Sequence, residues 1–334
     1  MSDTWFEDLF GFSEGPYAET QKRFRLEGET LVALASEGER RFAAGHFDTP
    51  TLASLREATP APDGGRPTVH HEVIGDVLET HALPENQGAL FQVASQLNCL
   101  EFADPREVPE DGVTQYAFDP TQGPACSLAA AAATVARNYL VPVEGIPGQT
   151  RDRQISNLAG VQAALGEAGS NIEVRNGYTF SSPEKLTTVG EALEQADREA
   201  LLGALRIGLQ RRVEVTFARR FERPESPQQV DQAFCSALSC GYASGSLALW
   251  RPLAKLVLDG AYEATLRSAR IGANPRVWLT FLGGGAFGNA KPWIGAAIGR
   301  ALRLMEGHTL DVRIAHYRGI DDEMVALIDD ARAG

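Results

Sequence analysis

The segment RVWLTFLGGGAFGNAKPWIGAAIGRAL combines an apolar strand, a glycine-rich loop and the start of a helix. Consecutive glycines let the main chain approach a ligand closely, and a helix start offers unpaired N–H groups and a positive dipole end. At the carboxyl end of a strand this combination favours a phosphate group. A tight turn without a ligand is the alternative. The pattern is neither a Walker loop nor a GxGxxG fingerprint, which argues against the usual mononucleotide and dinucleotide sites. The candidate ligand-binding residues are Gly283, Gly284, Gly285, Ala286, Phe287, Gly288 and Asn289.

A second group of polar residues lies within and after the apolar segment ALFQVAS. Polar side chains in a strand need specific partners, because burial without hydrogen bonds is unfavourable. The hydroxyl groups of a sugar would satisfy them, and an internal network of amide groups is the alternative. The residues concerned are Gln92, Ser95, Gln96, Asn98 and Glu101.

Two aspartates, Asp111 and Asp119, lie between these segments, the second just before an alanine-rich helix. We predict that both are catalytic and reach the anomeric carbon of a ribose. One would orient the leaving group or activate water, and the other would stabilise an oxocarbenium-like transition state. The alternative for both is a carboxylate that simply caps a helix, and it applies to Asp111 even more than to Asp119.

Cys126 lies in the first turn of the same helix, where a thiolate would be stabilised. A nucleophilic cysteine also needs a base, and no nearby histidine pattern suggests one. We therefore predict a small buried residue that faces the ligand. His70, His71 and His81 lack metal-ligand spacing, so we expect neither a metal site nor a cofactor.

Charge and composition exclude several classes of protein. The 334 residues include 31 Lys+Arg and 44 Asp+Glu, a formal net charge of −13, which argues against a general binder of nucleic acid or anionic membranes. The 43% hydrophobic and 22% charged residues are typical of a folded protein. We expect a cytoplasmic protein, because the acidic start resembles no signal peptide and no apolar run has the length of a membrane span.

Alternating strands and helices after residue 68 must position these residues, and they predict an α/β sheet with helices on both faces. Before them, apolar spacing predicts one or two helices within 17–44. The later predicted helices cover 123–140, 151–167, 183–208, 250–270 and 291–305. The predicted strands cover 68–79, 89–95, 211–221, 231–240, 276–282 and 310–317.

The stretch TPAPDGGRPT is dense in proline and glycine and predicts a boundary. We expect a helical extension and linker over 1–68 and a catalytic, ligand-binding domain over 69–334. The extension would either recruit a partner or brace the sheet, and the sequence leaves both possibilities open.

Several segments over roughly 70–317 resemble a macrodomain. IGDVLE followed by ALFQVASQ is similar to its opening, and LTFLGGGAFGNAKPWIGAAIGRAL is similar to its diphosphate-binding loop and helix. QGPACSLAAAA lies where such proteins have their first loop. The resemblance implies a three-layer mixed sheet and ADP-ribose as the ligand. By position it implies Asp76 at the adenine, Gln96 and Asn98 at the distal ribose, 283–289 at the diphosphate, and a first loop with Gln122, Gly123, Ala125 and Cys126.

The stretch EDGVTQYAFDPTQGPAC resembles a divergent macrodomain branch, the MavL-type ADP-ribosyl-arginine hydrolases, related in pattern to poly(ADP-ribose) glycohydrolases. The glycohydrolases' GGG-then-QEE pattern is absent. The resemblance implies a hydrolase that removes ADP-ribose from a modified protein side chain, with arginine as the expected residue and with Asp111 and Asp119 as the catalytic pair. The alternatives are an ADP-ribose reader without catalysis and a hydrolase of a free NAD-derived nucleotide.

Overall fold

The computed structural model describes residues 4–219, 222–242 and 245–334. The helices are α1 (Trp5–Phe10), α2 (Tyr17–Lys22), α3 (Leu52–Ala58), α4 (Val77–Ala82), α5 (Gln122–Ala129), α6 (Ala131–Tyr139), α7 (Ala159–Ala164), α8 (Pro183–Gln195), α9 (Arg198–Ala204), α10 (Leu247–Ile271), α11 (Lys291–Leu304) and α12 (Asp322–Ala333). The strands are β1 (Phe24–Glu27), β2 (Thr30–Ala35), β3 (Gly38–Ala43), β4 (His46–Asp48), β5 (Pro67–Ile74), β6 (Leu90–Ala94), β7 (Pro142–Val143), β8 (Ile146–Pro147), β9 (Glu173–Arg175), β10 (Tyr178–Phe180), β11 (Gly208–Glu214), β12 (Gln229–Cys235), β13 (Arg276–Leu279) and β14 (Leu310–Tyr317).

The main sheet has seven strands in the order β4-β11-β12-β6-β13-β14-β5. Neighbours from β12 to β5 are parallel, whereas β11 runs antiparallel to β12 and β4 runs antiparallel to β11. Parallel strands end at one edge of a sheet, so the segments that leave Ala94, Cys235 and Leu279 emerge side by side. This edge is where open α/β sheets bind ligands.

Helices cover both faces of this sheet. Val277 and Leu279 of β13 belong to the core that also contains residues of α10 and α11. Trp278, between them, belongs to the opposite core with Cys126 and Ala133 of α5 and α6. Successive side chains of a strand point to opposite faces, so one strand contributes to both cores. The predicted three-layer arrangement is confirmed.

The helices predicted within 17–44 are present only as α2. Residues 24–43 form an antiparallel meander of β1, β2 and β3. Gly28 and Gly38, at φ of 62° and 124°, make the two turns, and a right-handed helix cannot continue through such residues. Leu31 and Ala33 alternate along β2 into one core, so the apolar spacing has a period of two rather than a helical one.

Two long predicted helices are each divided into two. The predicted helix over 123–140 breaks at Ala130, which has φ −122° and ψ 56°, and the carbonyl of Ala129 accepts a hydrogen bond from Thr216 N at 2.6 Å. The predicted helix over 183–208 stops at Gln195 and restarts as α9. No sequence signal placed these breaks, because tertiary contacts stabilise them.

Several other boundaries also differ from the predictions. β5 ends at Ile74, where the strand was predicted to reach residue 79, and α4 follows it. Only α7 remains of the predicted helix over 151–167, and α12 was not predicted. The predicted strand over 211–221 begins earlier, as β11, and its last two residues, 220–221, lie outside the described residues.

The first fifty residues pack onto the rest of the chain. β4 extends the main sheet beside β11. The Trp5 ring packs edge-on against Phe217 at a centroid distance of 6.0 Å, and its indole N–H donates to the carbonyl of Thr114 at 2.9 Å. The Glu14 carboxylate accepts from the main-chain N–H and the hydroxyl of Thr114, at 2.7 and 2.6 Å. The extension therefore fixes the segment that leads to Asp119.

Among the helices that the structure describes, none has the length and apolar character needed to cross a membrane.

Candidate active site

A cavity of about 240 Å³ lies at the edge of the sheet where β6, β12 and β13 end. It brings together the glycine-rich loop and the segment before α5, which are far apart in the sequence. Half of the predicted site residues line it. They are Ser95, Gln96, Asp119, Gln122, Gly123, Gly283, Gly285, Ala286 and Phe287.

The glycine-rich loop presents free amide groups to this cavity. Across the part of the chain that the structure describes, the main-chain N–H groups of Gly285, Ala286 and Phe287 donate to no protein acceptor. All three residues line the cavity. Adjacent amide groups without partners form a concave donor surface of the kind that holds phosphate oxygens.

Side chains from elsewhere hold this loop in shape. The Tyr262 hydroxyl donates to the carbonyl of Thr280 at 2.7 Å and accepts from Leu282 N at 2.9 Å. At the other end, the buried Asn289 donates from Nδ2 to the carbonyl of Leu238 at 2.8 Å. Since both ends are fixed, the free amides are held in place before any ligand arrives.

Gly283 must be glycine for two reasons. Its φ is 70°, and a Cβ would lie 2.5 Å from Ala237 Cβ and 2.6 Å from Asn289 Nδ2. Gly284, which donates to the carbonyl of Phe281 at 3.1 Å, and Gly288, with φ of 70°, complete the turn. Gly284, Gly288 and Asn289 are not among the residues that line the cavity, so they shape the loop instead.

The start of α5 is fastened to β6 by Gln122. Its Oε1 accepts from Ala94 N and its Nε2 donates to the carbonyl of Gln92, both at 2.8 Å. The next residue, Gly123, also lines the cavity. A Cβ at Gly123 would collide with the carbonyl of Ala94 and with Oε2 of Glu101.

The polar side chains of β6 and its exit are mostly engaged within the protein. Gln96 bonds both the N–H and the carbonyl of Phe102, each at 3.0 Å, and closes the loop between them. Gln92 donates to Thr265 Oγ1 at 2.9 Å, and Asn98 donates to Gln154 Oε1 at 2.9 Å. Gln92 and Asn98 do not line the cavity. Gln92 and Asn98 therefore fit the alternative prediction, an internal hydrogen-bond network of amide groups, better than sugar binding.

Ser95 lines the cavity, and its hydroxyl donates to the carbonyl of Gln96 at 3.0 Å. It remains positioned to meet a ligand through its lone pairs.

Aromatic side chains form another part of the wall. The rings of Tyr178, Tyr242 and Phe287 lie 5.1 to 5.9 Å apart, centroid to centroid. The hydroxyl of Tyr178 donates to the carbonyl of Phe102 at 2.6 Å, which fixes that ring. Such a surface suits the flat, weakly polar face of a nucleobase or sugar.

The structure brings only one of the two predicted catalytic aspartates to the cavity. Asp119 is half-buried on the wall, and its Oδ1 accepts from Thr121 N at 2.8 Å. Asp111 is exposed and does not line the cavity, because its Oδ2 accepts from Val108 N at 2.9 Å and closes a single turn of 3-10 helix. The predicted pairing of Asp111 with Asp119 is therefore not present.

Three further predicted residues lie off the cavity wall. Asp76 caps α4, where its Oδ1 accepts from Leu78 N at 2.9 Å. Ala125 and Cys126 lie deeper in α5, and Cys126 is fully buried. Burial raises the pKa of the Cys126 thiol well above its ordinary value, which leaves it a poor nucleophile.

Sequence reasoning grouped Glu101 with sugar-binding residues and did not assign it a catalytic role. Its side chain lines the cavity, only 2% of the residue is exposed, and Oε1 has no hydrogen-bond partner among the described residues. Burial raises the pKa of this carboxyl well above its ordinary value; the Arg137 guanidinium opposes this effect and Asp119 adds to it. A glutamate flanked by Leu100 and Phe102 was the available sequence signal.

The arrangement as a whole can bind an anion and exchange protons beside it. Free amides lie on one side, and on the other a buried carboxyl shares the cavity with the half-buried Asp119. Two carboxyl groups in different environments are typical of acid and base roles in one site. Among the described residues, no three histidine, cysteine or carboxylate side chains converge as a metal site.

No protein-family model matches the chain, and no curated protein matches it in sequence. Its fold is similar to solved structures of poly(ADP-ribose) glycohydrolase. The enzyme from Thermomonospora curvata is 15% identical and covers 90% of this chain and 93% of its own, with a TM-score of 0.49. Its complex with the inhibitor ADP-HPD is 14% identical over 90% of this chain and 92% of its own, with a TM-score of 0.43.

The enzyme from Deinococcus radiodurans in complex with ADP-ribose is 12% identical and covers 86% of this chain and 94% of its own, with a TM-score of 0.47. The relationship to the MavL-type branch stays a prediction. The roles proposed for individual residues therefore rest on the geometry of this chain and not on these similar structures.

Proposed function

We propose that the chain binds ADP-ribose in this cavity and hydrolyses the glycosidic bond that joins it to a protein side chain, with arginine as the expected modified residue. One observation carries the proposal. A loop with three unpaired amide groups and two carboxyl groups share one cavity at the ends of the parallel strands.

The free amides of Gly285, Ala286 and Phe287 support a diphosphate site. Helix α11 follows this loop, and its first turn carries a positive dipole end. Lys291 at the start of α11 is already paired with Asp321 and Glu323, at 2.7 and 2.9 Å. The diphosphate would therefore be held by oriented main-chain dipoles and not by a salt bridge from this lysine.

The remaining parts of the ligand fit the other walls. Rings such as Phe287 and Tyr242 offer flat surfaces to the nucleoside, and the segment from Asp119 to Gly123 faces the distal ribose. The half-buried Asp119 carboxylate would activate the attacking water and stabilise positive charge at the anomeric carbon. A carboxylate in that position also suits the guanidinium group of an arginine substrate, in agreement with the resemblance of the 110–126 segment.

Calorimetric titration of the full chain with ADP-ribose tests the binding step. We expect saturable binding that Gly283→Ala weakens at least tenfold, because a Cβ there forces the loop to move. Gly319→Ala is the matched control, since a Cβ at Gly319 meets no atom within 4 Å and this residue does not line the cavity. Absence of binding by the unmodified chain would overturn the proposal.

Mass spectrometry of reaction products tests the chemical step. An ADP-ribosyl-arginine peptide should be converted to free ADP-ribose and unmodified peptide. Binding without release from any protein-linked or free substrate would instead support the reader. Release from a free NAD-derived nucleotide alone would support the other alternative.

A further inference from the structure

We infer that Glu101 donates the proton to the leaving group in the proposed hydrolysis, and that residue 123 is glycine because the carbonyl of Ala94 and the Glu101 carboxyl group together fill the space of a side chain there. The inference deepens the proposed function and rests on it. It also replaces Asp111 as the partner of Asp119.

The geometry begins at the first turn of α5. A Cβ built on Gly123 would lie 2.2 Å from the carbonyl oxygen of Ala94 and 2.3 Å from Glu101 Oε2, so the main chain of β6 and the Glu101 carboxyl group both lie directly against this turn. Both residues line the cavity. Because Gly123 has no side chain, there is space beside the first turn of α5, and the Glu101 carboxyl group occupies it.

Within the described parts of the chain, no donor satisfies Oε1 of the buried Glu101 carboxyl group. The main-chain N–H of Glu101, by contrast, donates to the Tyr116 hydroxyl at 2.8 Å. The Arg137 guanidinium donates to the carbonyl of Cys99 at 2.9 Å and to Gln210 Oε1 at 2.7 Å, and not to Glu101. An unsatisfied buried polar group destabilises a protein, so its presence in a cavity indicates a functional role.

The surroundings favour the protonated form of Glu101. Burial has the largest effect and raises the pKa, Arg137 lowers it, and Asp119 raises it. A general acid must carry its proton at the working pH, and this environment provides that condition. The titratable groups that interact with Glu101 are Cys99, Tyr116, Asp119, Cys126, Arg137 and Tyr178.

The step balances without any further reactant. As the bond between the anomeric carbon and the side-chain nitrogen breaks, its electron pair stays on nitrogen and the Glu101 proton moves to that nitrogen. Water adds to the anomeric carbon and gives a proton to the Asp119 carboxylate. Solvent then returns a proton to Glu101 and takes one from Asp119, and the products are ADP-ribose and the unmodified side chain.

The variant Glu101→Gln tests this role, because it keeps the size of the side chain and removes its acid. We expect kcat to fall about 10²–10⁴-fold while ADP-ribose binds within about threefold of the unmodified chain. Glu107→Gln is the matched control on the same loop, since Glu107 lies off the cavity wall and its carboxylate accepts a hydrogen bond from Ala103 N at 3.0 Å.

A substrate with an activated leaving group separates a proton donor from a structural residue. A nitrophenyl ADP-ribose needs little proton donation, so the loss caused by Glu101→Gln should shrink to about tenfold or less on it. In the unmodified chain, kcat on the arginine substrate should fall at high pH, and this decline should be absent with nitrophenyl ADP-ribose.

The outcomes are distinct. Failure of the unmodified chain to bind or hydrolyse any ADP-ribose substrate defeats the proposed function itself. An active unmodified chain with an equally active Glu101→Gln variant overturns this inference alone. If the variant does not fold, the same decision falls to the pH profile of the unmodified chain on the two substrates, and equal profiles overturn the inference.

Discussion

Two buried glutamates in different regions of the molecule have opposite electrostatic surroundings. Glu263, between α3, α10 and α11, accepts hydrogen bonds from Arg56, Arg267 and Arg300 at 2.7 to 3.0 Å. Burial raises the pKa of its carboxyl, but the arginines outweigh burial and lower the pKa to about 2. Glu101, in the cavity, has a raised pKa, and its Oε1 has no hydrogen-bond partner in the part of the chain that the structure describes.

The contrast separates a structural carboxylate from a reactive one. Glu263 is buried as an ion because three guanidinium groups compensate its lost hydration. Glu101 lies near one arginine whose donors are directed elsewhere, so its neutral form is favoured instead. Glu263 thus stabilises the fold around it, whereas Glu101, by our inference, acts as a proton donor in the cavity.

The largest expected effect on stability comes from Glu263→Gln. Loss of the charge leaves three half-buried arginines without their shared buried partner, although Arg56 and Arg300 still pair with the exposed Glu199. The free energy of unfolding at pH 7 should therefore fall by about 3 kcal/mol. Urea unfolding followed by circular dichroism measures this change. A loss below about 1 kcal/mol would contradict the structural role given to Glu263.

Glu14→Gln extends the comparison to a third glutamate. The Glu14 carboxylate accepts hydrogen bonds from Val113 N at 2.9 Å, from the N–H and hydroxyl of Thr114, and from the Tyr139 hydroxyl at 2.7 Å. It should behave like Glu263 and lose about 2 kcal/mol, since hydrogen bonds to a charged group contribute more than neutral ones. Thermal unfolding checks the stability, and Glu19→Gln on the exposed face of α2 is the control.

Glu101→Gln should shift stability in the opposite direction. A neutral amide removes the penalty of a buried carboxyl, so the variant should be more stable than the unmodified chain by about 1 kcal/mol at pH 8. Because the folded pKa of Glu101 is raised, its favourable contribution is complete below the ordinary glutamate pKa and is lost as pH rises through the folded value.

Glu263 should show the reverse pH dependence. Its folded pKa is lowered to about 2, so its contribution is present above the ordinary glutamate pKa and is lost as pH falls toward 2. The stability differences between each Gln variant and the unmodified chain, measured from pH 3 to 8, should therefore have slopes of opposite sign. Slopes of the same sign would remove the distinction between the two sites.

The smallest stability effect is expected for Asp111→Asn. This variant weakens one hydrogen bond, to Val108 N, and should reduce stability by about 0.5–1 kcal/mol.

Asp119→Asn should lower kcat at least tenfold more than Asp111→Asn does. Equal losses of kcat in these two variants would instead support the predicted catalytic pair of Asp111 and Asp119.

The position and shape of the glycine-rich loop could be predicted because they depend on local features. A strand, three glycines and a helix start follow one another in the sequence, and the structure places free amides at Gly285, Ala286 and Phe287. The three-layer arrangement could be predicted for the same reason, since each strand and helix carries its own pattern of apolar residues.

The acid pair could not be predicted from spacing along the chain. Glu101 reaches the cavity because Gln96 bonds both main-chain groups of Phe102 and folds the intervening loop back. It then meets Gly123, which lies in another element. Asp111 had a plausible position in the sequence, but a local hydrogen bond holds it elsewhere. The positions of Glu101 and Asp111 relative to the cavity therefore depend on contacts that cannot be predicted from a short segment of the sequence.

The docking of Trp5 has a consequence for synthesis of the chain on the ribosome. Trp5 is completed long before its partners Thr114 and Phe217 exist. At roughly 5–20 residues per second, the wait for Phe217 lasts on the order of 10–40 s. During that interval Phe6 and Phe10 can already meet Phe24, whereas the Trp5 ring lacks its contact with Phe217. The Trp5 side chain therefore reaches its final environment only after most of the chain has been made.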